Sequence, residues 1–250
     1  MHLEVIRNWL RDCDEKHCTS SCKAAQRGGE QGTDAPAHLP TRLIDVGTGD
    51  DDTVYLRETN SQGFVSQDTE GWLALSHQWG PKPHFSTRTD NIDEHLAGIK
   101  LASLPATFKD AVLVTRALGR RYLWIDSICI IQEGIKADFE QEGKRMEDVY
   151  SGAYCVIAAT SSTGHSSGFL KPRKRDWVAL RRETKSEAPF YVCQRIDNFK
   201  EHVLDGALNR RGWVLQEHAL ARRTIFFAEH QTYWECGNGV RCETMTKLRK

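Results

Sequence analysis

Three short apolar runs divide the middle of the chain: "WLALSH" (72–77), "RYLWID" (121–126) and "YCVIAAT" (154–160). Each is bounded by polar turns, the pattern of a strand buried on both faces of a parallel sheet. Between them the period changes to that of a helix. "LPATFKDAVLVTRALG" aligns Leu104, Phe108, Ala111, Val112 and Thr115 on one stripe, with Pro105 suited to the first turn and Gly119 to the C-terminal cap. "ADFEQEGKRMEDVYSGAY" (137–154) predicts a second helix, with Asp138 as N-cap and Gln141 three residues on. Its apolar arc holds Phe139, Gly143, Met146, Val149, Tyr150 and Ala153, and one carboxylate, Glu142, falls inside that arc. The order β-α-β-α-β predicts an α/β protein with a three-layer, mainly parallel open sheet.

The flanks read differently. "LEVIRNWLRDCDEKHC" has helical spacing, with Val5, Ile6, Trp9, Leu10 and Cys13 on one side. The polar, glycine-rich "AAQRGGEQGTDAPA" after it reads as a linker, which makes residues 1–35 a helical Cys/His segment ahead of a domain over 36–250. "TRLIDV" and "TVYLRET" read as strands around the acidic turn "GTGDDD". The last third, with "FYVCQRI", the helical "NRRGWVLQEHAL" and the hairpin "RTIFFAEHQTYWEC", reads as a smaller β-rich subdomain.

Charge narrows the function classes. Lys+Arg and Asp+Glu balance at 34 each, so no overall field invites nucleic acid or an anionic membrane. No run approaches the roughly 18 apolar residues of a membrane span, and "MHLEVIRNWL" lacks the apolar stretch of a signal peptide. The expectation is a cytoplasmic protein whose eight cysteines are mostly reduced thiols.

In open parallel sheets, ligands sit beyond the carboxyl ends of the strands. Those ends carry Ser76, His77 and Trp79; Asp126, Ser127 and Cys129; and Thr160, Ser161 and Ser162. Asp126 reads either as a ribose or amide ligand or as a cap for the following turn. Trp79 reads as a stacking platform or as ordinary packing. Glu142 has two readings as well: a carboxylate that stabilises an oxocarbenium-like charge, or a structural acid paired with Arg116, Arg121 or Arg211. "RRGWVLQE" adds Arg211 as a phosphate clamp, and Gln216 and Glu217 on a helical face shared with Trp213 and Leu220. Cys13, His17, Cys18 and Cys22 offer a crowded zinc option, with Cys236 and Cys242 able to complete it; the same spacing suits plain helix packing. No G-x-x-x-x-G-K-[ST] loop is present, which disfavours an NTPase.

"WLALSHQWG", "LPATFKDAVLVTRALGRRYLWIDSICIIQ", "DFEQEGKRMEDVYSGAYCVIAAT" and "RRGWVLQE" together closely resemble the fungal heterokaryon-incompatibility (HET) domain over roughly residues 70–236. The Trp9, Cys13, His17, Cys18 pattern resembles the segment that often precedes it. Departures are His77-Gln78 where an aromatic and a small residue are common, Phe139 for the usual Trp, and Gly143 for Ala. The resemblance implies a domain that triggers programmed cell death when genetically different cells fuse. It also implies a distant likeness to Toll/interleukin-receptor (TIR) domains, which have a flavodoxin-like sheet. Some of those cleave NAD+ with one glutamate on a helix beside the sheet edge. By that analogy NAD+, or a related nucleotide, is the substrate, no cofactor is required, Glu142 is the catalytic residue, and subunits act as a homo-oligomer or with a death-signalling partner. The alternative is a non-enzymatic signalling module that kills by assembling partners.

Overall fold

The computed structural model describes residues 3–16, 22, 39–61, 64, 71–133, 136–173, 177–180, 190–193, 196–210, 212–244 and 247–248. Helix α1 (Leu3–Lys16) precedes the hairpin β1 (Arg42–Asp45) and β2 (Thr53–Glu58). Then come β3 (Trp72–Ser76), α2 (Ile92–Ala97), β4 (Ile99–Lys100) and α3 (Ala106–Ala117). The middle of the chain continues with β5 (Tyr122–Trp124), the single turn α4 (Asp126–Cys129), α5 (Lys136–Gly152) and β6 (Cys155–Ala158). A separate hairpin, β7 (Trp177–Leu180) and β8 (Phe190–Cys193), precedes α6 (Gly212–Leu220). The described chain closes with β9 (Arg223–Phe227), β10 (Thr232–Cys236), β11 (Gly239–Cys242) and β12 (Lys247–Leu248).

Ten strands share one sheet in the order β12-β11-β10-β9-β6-β3-β5-β1-β2-β4. The three apolar runs pair in parallel as the alternation predicts, β5 and β6 flanking β3, so their carboxyl ends share one edge. The sheet as a whole is mixed rather than mainly parallel. Three of its nine pairings are parallel and six are antiparallel. Nor do the C-terminal strands form a subdomain of their own: β9 lies parallel to β6, and β10 to β12 extend the same sheet. Apolar alternation marks these segments as strands, but the neighbour each finds is set by long-range pairing, which local pattern does not encode.

The helices are amphipathic in the expected way, with one exception. The α3 stripe is buried throughout, and Gly119 follows the helix at φ +70° with its N–H on Arg116 O, the left-handed conformation that glycine tolerates. Ile6, Trp9, Leu10 and Cys13 of α1 enter the core, where Trp9 stacks on Trp234 of β10 with centroids 6.5 Å apart. On α5, Val149, Tyr150 and Ala153 are buried against the sheet, with Tyr150 edge-on to Trp124 and Trp72 Nε1 donating to Val149 O. Strand alternation puts Trp72 and Trp124 on one face, and Trp234 with its cross-strand partner Ile225 on the other, so α5 and α1 cover opposite faces. The exception is Phe139, exposed while Glu142 is buried. The helix also begins two residues before Asp138, and that carboxylate reaches away to Arg42 rather than capping it.

Candidate functional site

β3 runs directly into Ser76 and His77, both buried, and the chain then turns out through Trp79. β5 ends two residues before Asp126, which opens α4 and accepts the Ser127 N–H at 2.7 Å. The two ends meet: the Trp79 indole donates to Asp126 Oδ2 at 2.8 Å, and His77 Nδ1 lies 3.9 Å from Oδ1. Ser127 is fully buried beneath them, its Oγ without a hydrogen-bond partner among the described residues. Five predicted site residues, Ser76, His77, Trp79, Asp126 and Ser127, therefore gather at one point on the carboxyl edge.

The loop after β6 supplies a residue that sequence reasoning missed. His165 packs 5.1 Å from the His77 ring, 4.6 Å from Phe108 and 5.8 Å from Trp79. It is 7 % exposed, and its Nδ1 accepts the Phe85 N–H at 3.3 Å. The proton of the neutral ring therefore sits on Nε2, and that buried atom has no partner among the described residues. Burial, and then repulsion from His77, push the His165 pKa down to about 4, so the ring is neutral near pH 7. Thr107, at the start of α3, fixes the loop by donating to Gly164 O at 2.7 Å. Gly164 meets Gly80 backbone to backbone: a Cβ on Gly80, whose φ is +73°, would lie 2.8 Å from Gly164 Cα. Only glycine lets the two loops close to this distance. Between them lies a pocket of about 280 Å³ walled by Trp79, Pro81, Pro83, His84, Phe85 and His165.

Glu142 is held by a different set. It is 3 % exposed and accepts the Thr41 hydroxyl at 2.6 Å, with Arg145 Nη1 at 3.4 Å. Arg145 also donates to Thr41 Oγ1 and to Leu39 O. One residue on, Arg42 forms a two-pronged pair with Asp138 at 2.7 and 3.2 Å and donates to Cys129 O, while Asp138 accepts the Ile131 N–H. Of the arginines expected as partners, Arg116 donates instead to Val46 O and Arg121 pairs with Asp45; Arg211 lies outside the described residues. Glu217 is buried on α6, which packs beside α5, and the Gln216 side chain lies outside the description.

Cysteine placement alters the metal option. Cys13 and Cys22 converge not with each other alone but with Cys236 at the end of β10, their sulfurs all within 4.8 Å of one another. His17 and Cys18 lie outside the described residues. Cys242 is buried at the end of β11, where Thr244 Oγ1 lies 2.9 Å from its sulfur.

A family model described as heterokaryon incompatibility protein (HET) matches residues 72–217, more than half of the chain. The chain belongs to the HET family. The matched span begins at the first residue of β3 and ends at Glu217 on α6, so the HET match takes in the pocket, the Asp126 cluster and Glu142. No curated protein and no solved structure matches the chain. Among the described residues, no helix is long and apolar enough to cross a membrane.

Proposed function

We propose that this HET domain binds a nucleotide in the pocket between the loops after β3 and β6 and hydrolyses its N-glycosidic bond, with NAD+ as the substrate. The observation that carries the reading is His165: a buried imidazole in the pocket wall whose Nε2–H has no partner among the described residues. A buried donor without an acceptor costs about 1–3 kcal/mol, a cost that a ligand oxygen or ring nitrogen would remove. Trp79 and His84, set edge to face with centroids 5.1 Å apart, give the pocket wall aromatic surface for a planar heterocycle. About 280 Å³ is below the range of sites for whole drug-sized ligands, which fits a nicotinamide ring and its ribose rather than the entire dinucleotide. Asp126, one hydrogen bond behind Trp79 and 21 % exposed at its side chain, would supply negative charge to the ribose as the bond to nicotinamide breaks. Water adds at the anomeric carbon, nicotinamide departs with the bonding electrons, and ADP-ribose and a proton complete the balance. In this reading Glu142 serves the fold rather than the reaction, because its carboxylate is already engaged by Thr41 and Arg145. The kinship with TIR-like sheets and the cell-death output rest on the family resemblance.

The rival reading, a non-enzymatic module that acts by self-assembly and partner binding, finds support in Phe139, 55 % exposed on α5. Incubation of the full chain with NAD+ and separation of the products decides between them. We expect nicotinamide release that falls about 100-fold or more in Asp126→Asn and in Trp79→Ala, with melting temperatures close to wild type. Absence of nicotinamide at every protein concentration would return the domain to the assembly reading; an Asp126→Asn variant at the wild-type rate would remove Asp126 from the reaction.

A further inference from the structure

We infer that Cys13, Cys22 and Cys236 are ligands of a structural metal ion, zinc by their chemistry, that clasps the N-terminal helix to the far end of the sheet. Three buried thiols from α1, the segment after it and the end of β10 bring their sulfurs within 4.8 Å of one another. Tetrahedral zinc with bonds of about 2.3 Å holds its sulfur ligands roughly 3.8 Å apart. Closing from the observed spacing needs rotamer adjustments of about an ångström or less. Among the described residues these three are the ligands, and His17 and Cys18, which the sequence numbers between Cys13 and Cys22, lie outside them.

The surroundings fit a charged metal–thiolate centre better than a cluster of plain thiols. Zinc with three thiolates carries one net negative charge, and Arg223 stands beside it as the direct cross-strand partner of Cys236. That guanidinium is 7 % exposed; one nitrogen pairs with Asp14 at 2.6 Å, while its buried Nε has no hydrogen-bond partner among the described residues. A buried cation facing neutral thiols has little to gain from them, whereas one facing metal-bound thiolates is repaid by charge and by N–H···S bonds. A second donor is in place: the Asn238 N–H points to Cys236 Sγ at 3.4 Å. Thiols bind zinc as thiolates, so the cation would displace protons, one released to solvent from each sulfur that it ligates.

Metal analysis of the full chain purified from zinc-supplemented culture tests the inference. We expect about one zinc per chain. We also expect a sulfur-to-metal charge-transfer band in the near ultraviolet when cobalt(II) replaces the zinc. Cys13→Ser and Cys236→Ser should each lose most of the metal, while Cys242→Ser, outside the cluster, should keep it. If the serine variants fail to fold, the zinc content and cobalt spectrum of the wild-type protein still decide. A metal-free wild-type chain that shows no charge-transfer band with cobalt(II) overturns the inference. So does mass analysis that finds two of the three cysteines joined as a disulfide.

Discussion

Two polar clusters sit on the same carboxyl edge and differ in how completely they answer themselves. Around Arg42, each charge meets a counterpart, Asp138 for Arg42 and Arg145 for Glu142, although the buried Arg42 Nε has no hydrogen-bond partner among the described residues. Around Asp126, the carboxylate holds Trp79, but the neighbouring His165 and Ser127 keep polar atoms with no partner among the described residues, next to an open pocket. Burial alone does not separate the two clusters, since Glu142 is as buried as His77. The useful signal is an unanswered atom on a residue that lines a pocket, as at His165.

The contrast can be broken most directly at Arg42. Arg42→Met would leave Asp138 with the Ile131 N–H and leave Cys129 O unbonded, so we expect a loss of about 3–5 kcal/mol in urea unfolding. A loss below about 1 kcal/mol would mean that this cluster is not the stabilising one.

A pH series addresses the other cluster. The His165 pKa is about 4 when folded against an ordinary value of 6.5, so the unfolded chain takes up a proton first as the pH falls. The stability that the neutral ring contributes is fully present above pH 6.5 and is lost as the pH drops toward 4. By pH 4.5 the loss is on the order of 2 kcal/mol. His95 and His202, also lowered by burial, push the same way, which makes the comparison with His165→Asn the informative one. Wild-type and variant curves that stay parallel from pH 7.5 to 4.5 would remove His165 as the source.

The smallest expected effect belongs to Glu142→Gln. The amide retains an acceptor for Thr41 and gives up the charge facing Arg145, so about 1–2 kcal/mol should go, with NAD+ turnover kept. Unchanged melting with abolished turnover would reverse the two roles and make Glu142 the catalytic group.

Legibility in the sequence followed the range of the forces involved. Apolar runs and the Pro105–Gly119 bracket are local, and they gave the three parallel strands and α3 correctly. The gathering of Ser76, His77, Trp79, Asp126 and Ser127 followed from strand direction alone. Glu142 could be read as a polar intruder on an apolar face, but its partner Thr41 could not, because it lies about a hundred positions away. His165 gave no periodic sign at all: it sits in a glycine- and serine-rich loop, and contacts distant in sequence, with Gly80 and Thr107, bring it to the pocket. Cys236 and Cys242 both stood open in the sequence as completing residues, and sheet order, which sets β10 beside α1, is what brings Cys236 rather than Cys242 to Cys13.

The ends of the ten-stranded sheet bear on how such a domain can meet its own copies. An open sheet offers its outermost backbone as a template on which further strands can add, and proteins blunt that hazard with short edges and lysines. Here the outer strands, β4 and β12, are two residues each, Ile99–Lys100 and Lys247–Leu248, and both carry a lysine. Each offers little backbone of its own for another chain to copy. Recruitment of further subunits by this fold would therefore run through side chains on its helices and loops, a reversible kind of contact, rather than through strand-by-strand growth into a fibre.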